Sequence, residues 1–361
     1  MKKILLICPA IPDDMPYLKS YLDCLESFNI EYDVIYLRWT NDNKTYPANY
    51  YPFNGFMSSV TYNFMRKFYG YYKYSRFVIS KLSKKDYTHV ITMGIACSVF
   101  LSKFLRKNFK GKYIYDIRDY SQVLRFPLLR CLNAKLLCNS YMNVISSNGF
   151  KKWLPANIDY IVCHNTTLNK IGEVVNCACT LTYEDKIKIL TIGQIRDLRA
   201  NAYVIESLSN NDDYEIVFAG KGKTLELLHE MVMKQGLSNV KFIGEYIKEE
   251  EDAIVERSTL INVCMGSNVT SNYLLSNRLY LAARLKKPLI SFDDCFQAEI
   301  IKKYNLGLVI NREDILSEKL HEYILSFNED KFSSGCVDFL RMVRDDLIIY
   351  NKKLESFIRG N

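Results

Sequence analysis

Residues 187–222, IKILTIGQIRDLRANAYVIESLSNNDDYEIVFAGKG, carry the pattern that decides the fold. An apolar run at 187–192 stops at Gly193, and a second run at 214–219 stops at Gly220. Between them, apolar residues recur at helical spacing, and a turn-forming Asn-Asn-Asp-Asp cluster follows. Apolar strands that alternate with helices indicate a parallel sheet with helices on its faces. The stretch therefore predicts an α/β protein.

Glycines and cations follow both predicted strands, at the edge where ligands of such sheets bind. This group consists of Gly193, Arg196, Arg199, Gly220, Lys221 and Gly222. Glycines let a ligand approach the backbone, and arginines donate charge-assisted hydrogen bonds to phosphate oxygens. The pattern is compatible with a site for a nucleotide or a nucleotide-sugar diphosphate. On this stretch alone, the arginines are equally compatible with surface residues of an ordinary loop.

The chain of 361 residues is too long for one typical domain, and two domains of ordinary size fit it. No apolar run approaches the ~20 residues that a membrane span needs. The apolar run at 4–8 is cut short by Pro9, so we interpret it as a first buried strand and not as a signal peptide. The 11 cysteines form no repeated Cys-x-x-Cys pairs, which is typical of thiols in a reducing cytoplasm.

Charge divides the chain into two parts. Residues 1–180 contain 24 Lys and Arg against 12 Asp and Glu, a net charge of +12, whereas residues 181–361 contain 24 against 28, a net charge of −4. A basic half beside a mildly acidic half indicates two domains with different partners. The predicted segments are a first domain at 1–170, a linker at 166–185 and a second domain at 186–335. A last helix at 336–361 is predicted to pack back toward the first domain.

The segment 62–85 combines cations with aromatic residues. It contains seven Lys or Arg and no Asp or Glu, and Tyr and Phe are interleaved with the cations. The pattern is compatible with a solvated charged face, a nucleic-acid patch or a membrane-surface patch.

Four motifs follow one another in the carboxy-terminal half. They are TIGQIR at 191–196 with Arg199 beyond it, FAGKG at 218–222, VKFIG at 240–244, and SNRLY at 276–280 continuing to KPLIS at 287–291. With YDIRD at 115–119 and ISSNGF at 145–150, they resemble GT-B glycosyltransferases of the family 4-like type, in particular members that build bacterial surface polysaccharides. The resemblance covers nearly the whole chain. It implies two Rossmann-like, doubly wound parallel-sheet domains facing a cleft, with the sugar nucleotide in the carboxy-terminal domain.

The resemblance implies that these carboxy-terminal motifs bind the donor. Ser276 suits the N-cap of a helix whose amino terminus would face the diphosphate, and Arg196 would stabilise the charge that develops on the leaving nucleoside diphosphate. The predicted donor-binding residues are Gly193, Arg196, Arg199, Gly220, Gly222, Ser276, Asn277 and Arg278.

One position departs from the family pattern. The family usually has a Glu directly after the Tyr of the 276–280 motif, where it binds the nucleotide ribose, and this chain has Leu281. The 266–280 loop also lacks the upstream Glu of the family's Glu-x7-Glu pair. The departure is compatible with a divergent active enzyme, which we favour, or with an inactive module.

Polar residues after the amino-terminal strands are candidates for catalysis and acceptor binding. The predicted catalytic residues are His164, Asp119 and Arg196, and Asp116 and Arg118 are predicted to bind the acceptor. For the three residues at 116–119 the alternative is a self-paired salt-bridge loop. The resemblance implies no dedicated protein base, because the departing phosphate of a retaining enzyme can take the acceptor's proton.

The resemblance implies a retaining glycosyltransferase that moves a sugar from a nucleoside diphosphate to a lipid-linked oligosaccharide for capsule or O-antigen. No cofactor and no metal are expected, because no Asp-x-Asp site stands out and arginines can neutralise the diphosphate. An anionic membrane surface, and not nucleic acid, is the expected partner of Arg66, Lys67, Lys73 and Arg76, at the inner face of the cell membrane. The alternatives are an inactive GT-B module that binds polysaccharide or a partner enzyme, and a sugar-nucleotide epimerase on the same fold.

Overall fold

The computed structural model describes residues 2–38, 44–54, 64–172, 181, 186–269 and 271–360. The chain forms two compact units, each built around one parallel sheet with helices between its strands. Unit 1 consists of Met1–Asn165 and Asp346–Asn361, and unit 2 consists of Thr166–Asp345. The prediction of two doubly wound parallel sheets is confirmed.

Unit 1 contains, within its described residues, seven parallel strands in the order β3-β2-β1-β4-β5-β6-β7. Their bounds are β1 Lys3–Cys8, β2 Glu31–Leu37, β3 Tyr50–Phe53, β4 His89–Met93, β5 Tyr113–Ile117, β6 Met142–Ile145 and β7 Ile161–Val162. Strand β1 lies inside the sheet, where Ile4 pairs with Tyr32 on one side and His89 on the other. Its apolar run is fully buried, as expected for a strand covered on both faces.

Helix α2 places most of the basic segment 62–85 on unit 1. The helices of this unit are α1 Leu18–Ser27, α2 Phe64–Leu82, α3 Ile95–Ser98, α4 Ser102–Asn108 and α5 Pro127–Leu137. Residues 62 and 63 of the basic segment lie outside the described residues. Tyr74 fixes α2 to the sheet, because its hydroxyl contacts the backbone oxygens of Cys8 and Ile35 at 2.9 and 3.0 Å.

Unit 2 contains, within its described residues, six parallel strands in the order β10-β9-β8-β11-β12-β13. Their bounds are β8 Ile187–Gln194, β9 Tyr214–Lys221, β10 Val240–Gly244, β11 Leu260–Asn262, β12 Leu289–Phe292 and β13 Gly307–Ile310. The helices are α6 Leu168–Gly172, α7 Leu198–Ser207, α8 Leu225–Gln235, α9 Glu251–Glu256, α10 Asn277–Arg284, α11 Phe296–Tyr304 and α12 Leu316–Leu325. The predicted β8-α7-β9 stretch therefore forms two neighbouring interior strands of this sheet and the helix that connects them.

The last helix, α13, spans Glu329–Arg359 and begins before the predicted start at 336. Its early part contains Gly335, a poor helix former, but a Cβ at this position would lie 1.7 Å from the backbone oxygen of Tyr304. The close approach of the two backbones explains why glycine is present inside a helix. Residues up to Asp345 belong to unit 2, and those from Asp346 belong to unit 1.

Four of the helices and strands given above were not predicted from the sequence patterns, namely β3, α5, α6 and β13. Strand β3 lies in a polar stretch that contains Pro52, which cannot donate a backbone hydrogen bond and is therefore confined to edge strands. It forms one edge of the first sheet, and β13 forms one edge of the second. Short edge strands carry weak hydrophobic patterns, so sequence periodicity does not reveal them.

Two further expectations concern the connection and the membrane. Of the predicted linker 166–185, residues 173–180 and 182–185 lie outside the described residues. Among the helices of the described chain, none combines the length and the apolar composition that crossing a bilayer requires.

Candidate active site

Two glycines hold the ends of β8 and β9 close together. Gly193 pairs with Gly220, and a Cβ at Gly220, where φ is +128°, would lie 2.1 Å from the Gly193 oxygen. A Cβ at Gly222 would lie 1.8 Å from the Ile195 oxygen. Gly220 and Gly222 thus let the turn after β9 pack directly against the backbone of the turn after β8. Their predicted contact with the donor stays a prediction.

Gly193 has a different environment. Its φ is +89°, and among the described residues a Cβ built there would meet only the hydroxyl of Tyr246 within 4 Å, at 3.9 Å. Although Gly193 pairs with Gly220, the side on which a Cβ would project is therefore not covered by backbone of the described residues. A ligand that needs close backbone approach has room at this position.

Arg278 is anchored at the ends of two strands. Its Nε donates to the Ile192 oxygen at 2.6 Å, and its Nη1 and Nη2 donate to the oxygens of Asn262 and Gln194 at 3.2 and 3.1 Å. All three acceptors are neutral, and within the described chain the guanidinium forms no ion pair with a carboxylate. Burial lowers the pKa of Arg278 to about 10, so the group stays charged at neutral pH. The result is a fixed, uncompensated cation.

The amino terminus of α10 lies at the same residue. Ser276 is the N-cap, and its hydroxyl oxygen accepts a hydrogen bond from the backbone N–H of Arg278 at 3.3 Å. Asn277 follows and is exposed. The positive end of the helix dipole adds to the charge of Arg278, and together they favour an anion at this edge.

Arg196 and Arg199 lie between β8 and the first turn of α7, and both are exposed. Neither forms an ion pair with another residue of the described chain. Asp197 lies between them and is the N-cap of α7, where its Oδ1 accepts from the Ala200 N–H at 3.0 Å. Its Oδ2 accepts from the N–H of Gly266. One carboxylate therefore joins the arginine loop to the loop after β11 and leaves the arginines unneutralised.

Two buried asparagine side chains, which the sequence analysis did not identify, connect β8, β11 and α7 beneath this site by hydrogen bonds. Asn262 donates through Nδ2 to the Thr191 hydroxyl at 2.9 Å and to the Asn201 side-chain oxygen at 3.3 Å. The Asn201 side chain in turn donates through Nδ2 to the backbone oxygen of Asp197 at 2.6 Å. Asn262 and Asn201 are both buried. The signal was present in the sequence, because an Asn inside an apolar strand must find hydrogen-bond partners.

Leu281, which stands where the family has its ribose-binding Glu, is buried within α10. It lies among consecutive buried residues, which are Leu279, Tyr280, Leu281, Ala282 and Ala283. The position is therefore part of the packing of unit 2.

Asp116 and Arg118 in unit 1 form a buried bidentate ion pair. The Arg118 Nε and Nη2 donate to the two carboxylate oxygens at 2.7 and 2.8 Å, and Tyr21 donates to the same carboxylate at 2.7 Å. Arg118 also donates to the Cys163 oxygen at 2.9 Å. The self-paired arrangement left open by the sequence is therefore present for these two residues. Asp119 is exposed, and the acceptor roles stay predictions.

His164 follows β7 and is buried, with its Nε2 3.0 Å from Asp346 Oδ2 at the point where α13 enters unit 1. The contact fixes the imidazole ring against the helix. Its predicted catalytic role stays a prediction.

Four predicted membrane-contact residues, Arg66, Lys67, Lys73 and Arg76, lie on α2 and are all exposed. Within the described residues, no group of three or more His, Cys, Asp or Glu side chains is arranged to hold a metal ion.

Comparisons with known proteins agree with this architecture. The family model described as Glycosyl transferases group 1 matches residues 179–339. Among solved structures, sucrose-phosphate synthase from Thermosynechococcus elongatus is 12% identical with a TM-score of 0.71, and 100% of each chain is covered. The apo lipopolysaccharide outer core galactosyltransferase WaaB is 16% identical with a TM-score of 0.62 over 99% of each chain. Anabaena Alr3699/HepE in complex with UDP is 11% identical with a TM-score of 0.63 over 100% of each chain.

None of the curated proteins compared by sequence matches the chain significantly. At 16% identity or less, the solved structures show the fold alone, and that fold extends over both units. The family match lies within unit 2, which carries Arg278 and the glycine turns. The chain therefore has the GT-B fold and is a glycosyltransferase, and its residues 179–339 match the model of the group 1 glycosyl transferases.

Proposed function

We propose that the enzyme transfers a sugar from a nucleoside-diphosphate sugar to a lipid-linked oligosaccharide in the synthesis of capsule or O-antigen, with retention of configuration. The observation that carries the donor part is Arg278, a fixed cation without a carboxylate partner in the described chain, at the amino terminus of α10. A nucleoside diphosphate supplies the anion that this edge favours.

The hydrogen-bond capacity of Arg278 fits a bridging role. A guanidinium has five N–H groups, and three of them donate to backbone oxygens. The other two, one on each Nη, remain for phosphate oxygens. Because the three backbone contacts fix the group before the donor arrives, it can stabilise the charge that develops on the leaving diphosphate without further reorganisation.

Arg196 and Arg199 supply the remaining positive charge in this proposal. They are exposed and flank the capping Asp197, so their side chains can close over the phosphates. With three arginines and the dipole of α10 at one edge, the diphosphate is neutralised without a metal or cofactor. Ser276, Asn277 and Gly193 contribute backbone N–H groups, and Gly220 and Gly222 maintain the turns.

Unit 1 binds the acceptor in this proposal. Asp116 has both carboxylate oxygens engaged, so the Asp116–Arg118 pair holds the end of β5 in place and does not act as a base. The exposed Asp119 next to it contacts acceptor hydroxyl groups, and His164, held by Asp346, orients the segment after β7. The acceptor's proton passes to the departing phosphate.

The acceptor class rests on α2. Its exposed cations and tyrosines suit the headgroup region of an anionic bilayer, at the inner face of the cell membrane. A small soluble acceptor, such as the one implied by the name of sucrose-phosphate synthase, would have no use for this surface. The lipopolysaccharide galactosyltransferase WaaB shares the fold and supports a glycolipid acceptor.

The donor part is tested by thermal unfolding with UDP, GDP, CDP, ADP and dTDP. A nucleotide at 100 times its Kd stabilises the folded enzyme by about 2.7 kcal/mol. We expect one nucleotide to raise the Tm of the wild type and to have a smaller effect on Arg196→Ala. Arg257→Ala is the matched control. Arg257 is also exposed, but it precedes β11 and so lies at the amino-terminal ends of the strands, away from the proposed donor site. No response to any nucleotide would refute the proposed donor.

A further inference from the structure

The start of α5 presents large apolar side chains to solvent. Phe126 is 43% exposed and Leu128 is 71% exposed, a value that among the described large apolar residues only Leu325 equals. Arg125 and Arg130 flank them and are exposed as well. We call residues 125–130 the apolar turn. Exposed apolar groups rimmed by polar ones mark surfaces that contact a partner.

The apolar turn is continuous with the exposed face of α2. The ring centroid of Phe126 lies 6.3 Å from that of Phe68 on α2. On the same helix Tyr69 and Tyr72 are 58% and 49% exposed, and Lys73 Nζ lies 4.6 Å from the centroid of the Tyr69 ring. The turn and the helix therefore form one surface, with apolar side chains at one end and tyrosines and cations along the other.

The chemistry of this surface selects its partner. Residues 43–85 and 120–158 contain no Asp or Glu, so neither segment carries a carboxylate that would repel an anionic layer. The apolar part of this surface consists of Phe126 and Leu128, and two side chains are too few for the apolar core of a stable protein–protein interface, in which each partner buries roughly 800 Å². Nucleic acid offers phosphates to the arginines but no apolar layer to Leu128. An anionic bilayer offers both.

We propose that the apolar turn inserts Phe126 and Leu128 beneath the headgroups of an anionic membrane, while Arg125, Arg130 and the cations of α2 bind the headgroups. This inference rests on the proposed function, because it specifies how the enzyme approaches a lipid-linked acceptor. It adds an anchor in a region where only surface charge was expected. An apolar anchor resists salt, whereas contacts between exposed charges are screened.

The test compares a double variant with a matched control. In Phe126→Ser/Leu128→Ser the anchor is removed and every charge is kept. The control Ile315→Ser/Leu325→Ser removes apolar side chains that are 57% and 71% exposed on unit 2. In co-sedimentation with phosphatidylglycerol vesicles, we expect the first variant to lose at least about tenfold in affinity and the control to stay within about twofold of the wild type. Thermal unfolding checks that both variants fold.

Insertion is measured separately through Phe126→Trp. We expect bromine-labelled acyl chains to quench its fluorescence beyond the quenching seen with the wild type. If the wild type binds vesicles but the Ser variant binds equally well, or the new Trp is not quenched, the anchor is refuted and the charge-driven membrane contact stands. If the wild type does not bind at all, the membrane part of the proposed function fails and the anchor fails with it.

Discussion

Replacing Arg278 by methionine removes the fixed cation and keeps an extended side chain. Two N–H groups of Arg278 remain for the diphosphate once its three backbone contacts are made. Hydrogen bonds to charged groups contribute about 1.5–3 kcal/mol each, so the two together contribute about 3–6 kcal/mol before solvent competition. If solvent competition removes half of this, the Kd for the nucleoside diphosphate rises about 10- to 150-fold.

The same substitution has two opposing effects on the free energy of unfolding of the nucleotide-free enzyme. A pKa of about 10 instead of 12.5 corresponds to about 3 kcal/mol against the charged form in the folded state. The three hydrogen bonds that the methionine cannot make have a charged donor and contribute about 1.5–3 kcal/mol each in the opposite direction. Because these bonds together outweigh the cost of burying the charge, we expect the substitution to lower the free energy of unfolding by about 1.5–6 kcal/mol.

Isothermal titration with the nucleotide selected by the thermal screen measures the Kd of the wild type, Arg278→Met and Arg278→Lys. Lysine keeps the charge but not the planar fork, so its Kd should fall between the other two. Urea unfolding of the nucleotide-free proteins shows whether any loss is due to misfolding. A folded Arg278→Met that binds the nucleotide within threefold of the wild type would refute the anion site.

Two further predictions concern the fold around the sites. In urea unfolding, Gly222→Ala should lower the free energy of unfolding by about 2–3 kcal/mol, because its Cβ would overlap the Ile195 oxygen. Gly193→Ala has room for the methyl group and should lower it by about 1–2 kcal/mol, from its positive φ alone. Equal losses in the two variants would contradict this reasoning. Burial and the nearby Lys2 and Lys112 lower the pKa of His89 to about 4, so the contribution of its neutral ring to stability is complete above about pH 6.5 and is lost as the pH falls toward 4. Allowing for the partial exposure of the ring, His89→Gln should reduce by about 1–2 kcal/mol the loss of stability between pH 7 and pH 5, and an unchanged pH dependence would show that His89 does not contribute.

The donor side of the fold was predictable because its signals are local. Apolar runs that end in glycine indicate β8 and β9, and Ser276 precedes the helix that it caps. The contacts of Arg278 were not predictable in the same way. Its acceptors at Ile192 and Asn262 are separated from it by 86 and 16 residues, and they come together only because β11 pairs with β8.

The acceptor side was less accessible from the sequence. Asp116 and Arg118 are two residues apart, which is compatible equally with a ligand site and with mutual pairing, and only the hydrogen bonds between the two folded side chains reveal the pair. Helix α5 was missed, and with it the exposure of Phe126 and Leu128. From the sequence alone an apolar residue is expected to lie in the core, and only the packing of the folded chain shows that it is exposed.

The course of α13 limits where this chain can be joined to another glycosyltransferase in a chimera. Since Asp346–Asn361 belong to unit 1, unit 2 is an insertion within unit 1 and not a module that follows it. Tyr350, Leu354 and Phe357 are almost fully buried, and the Lys2 ammonium donates to the backbone oxygens of Phe357 and Ile358 at 2.7 and 2.9 Å. A chimera that exchanges donor specificity should therefore replace residues 166–345 and retain both flanking segments of the host. A single crossover after residue 165 would separate unit 1 from the helix that completes its core.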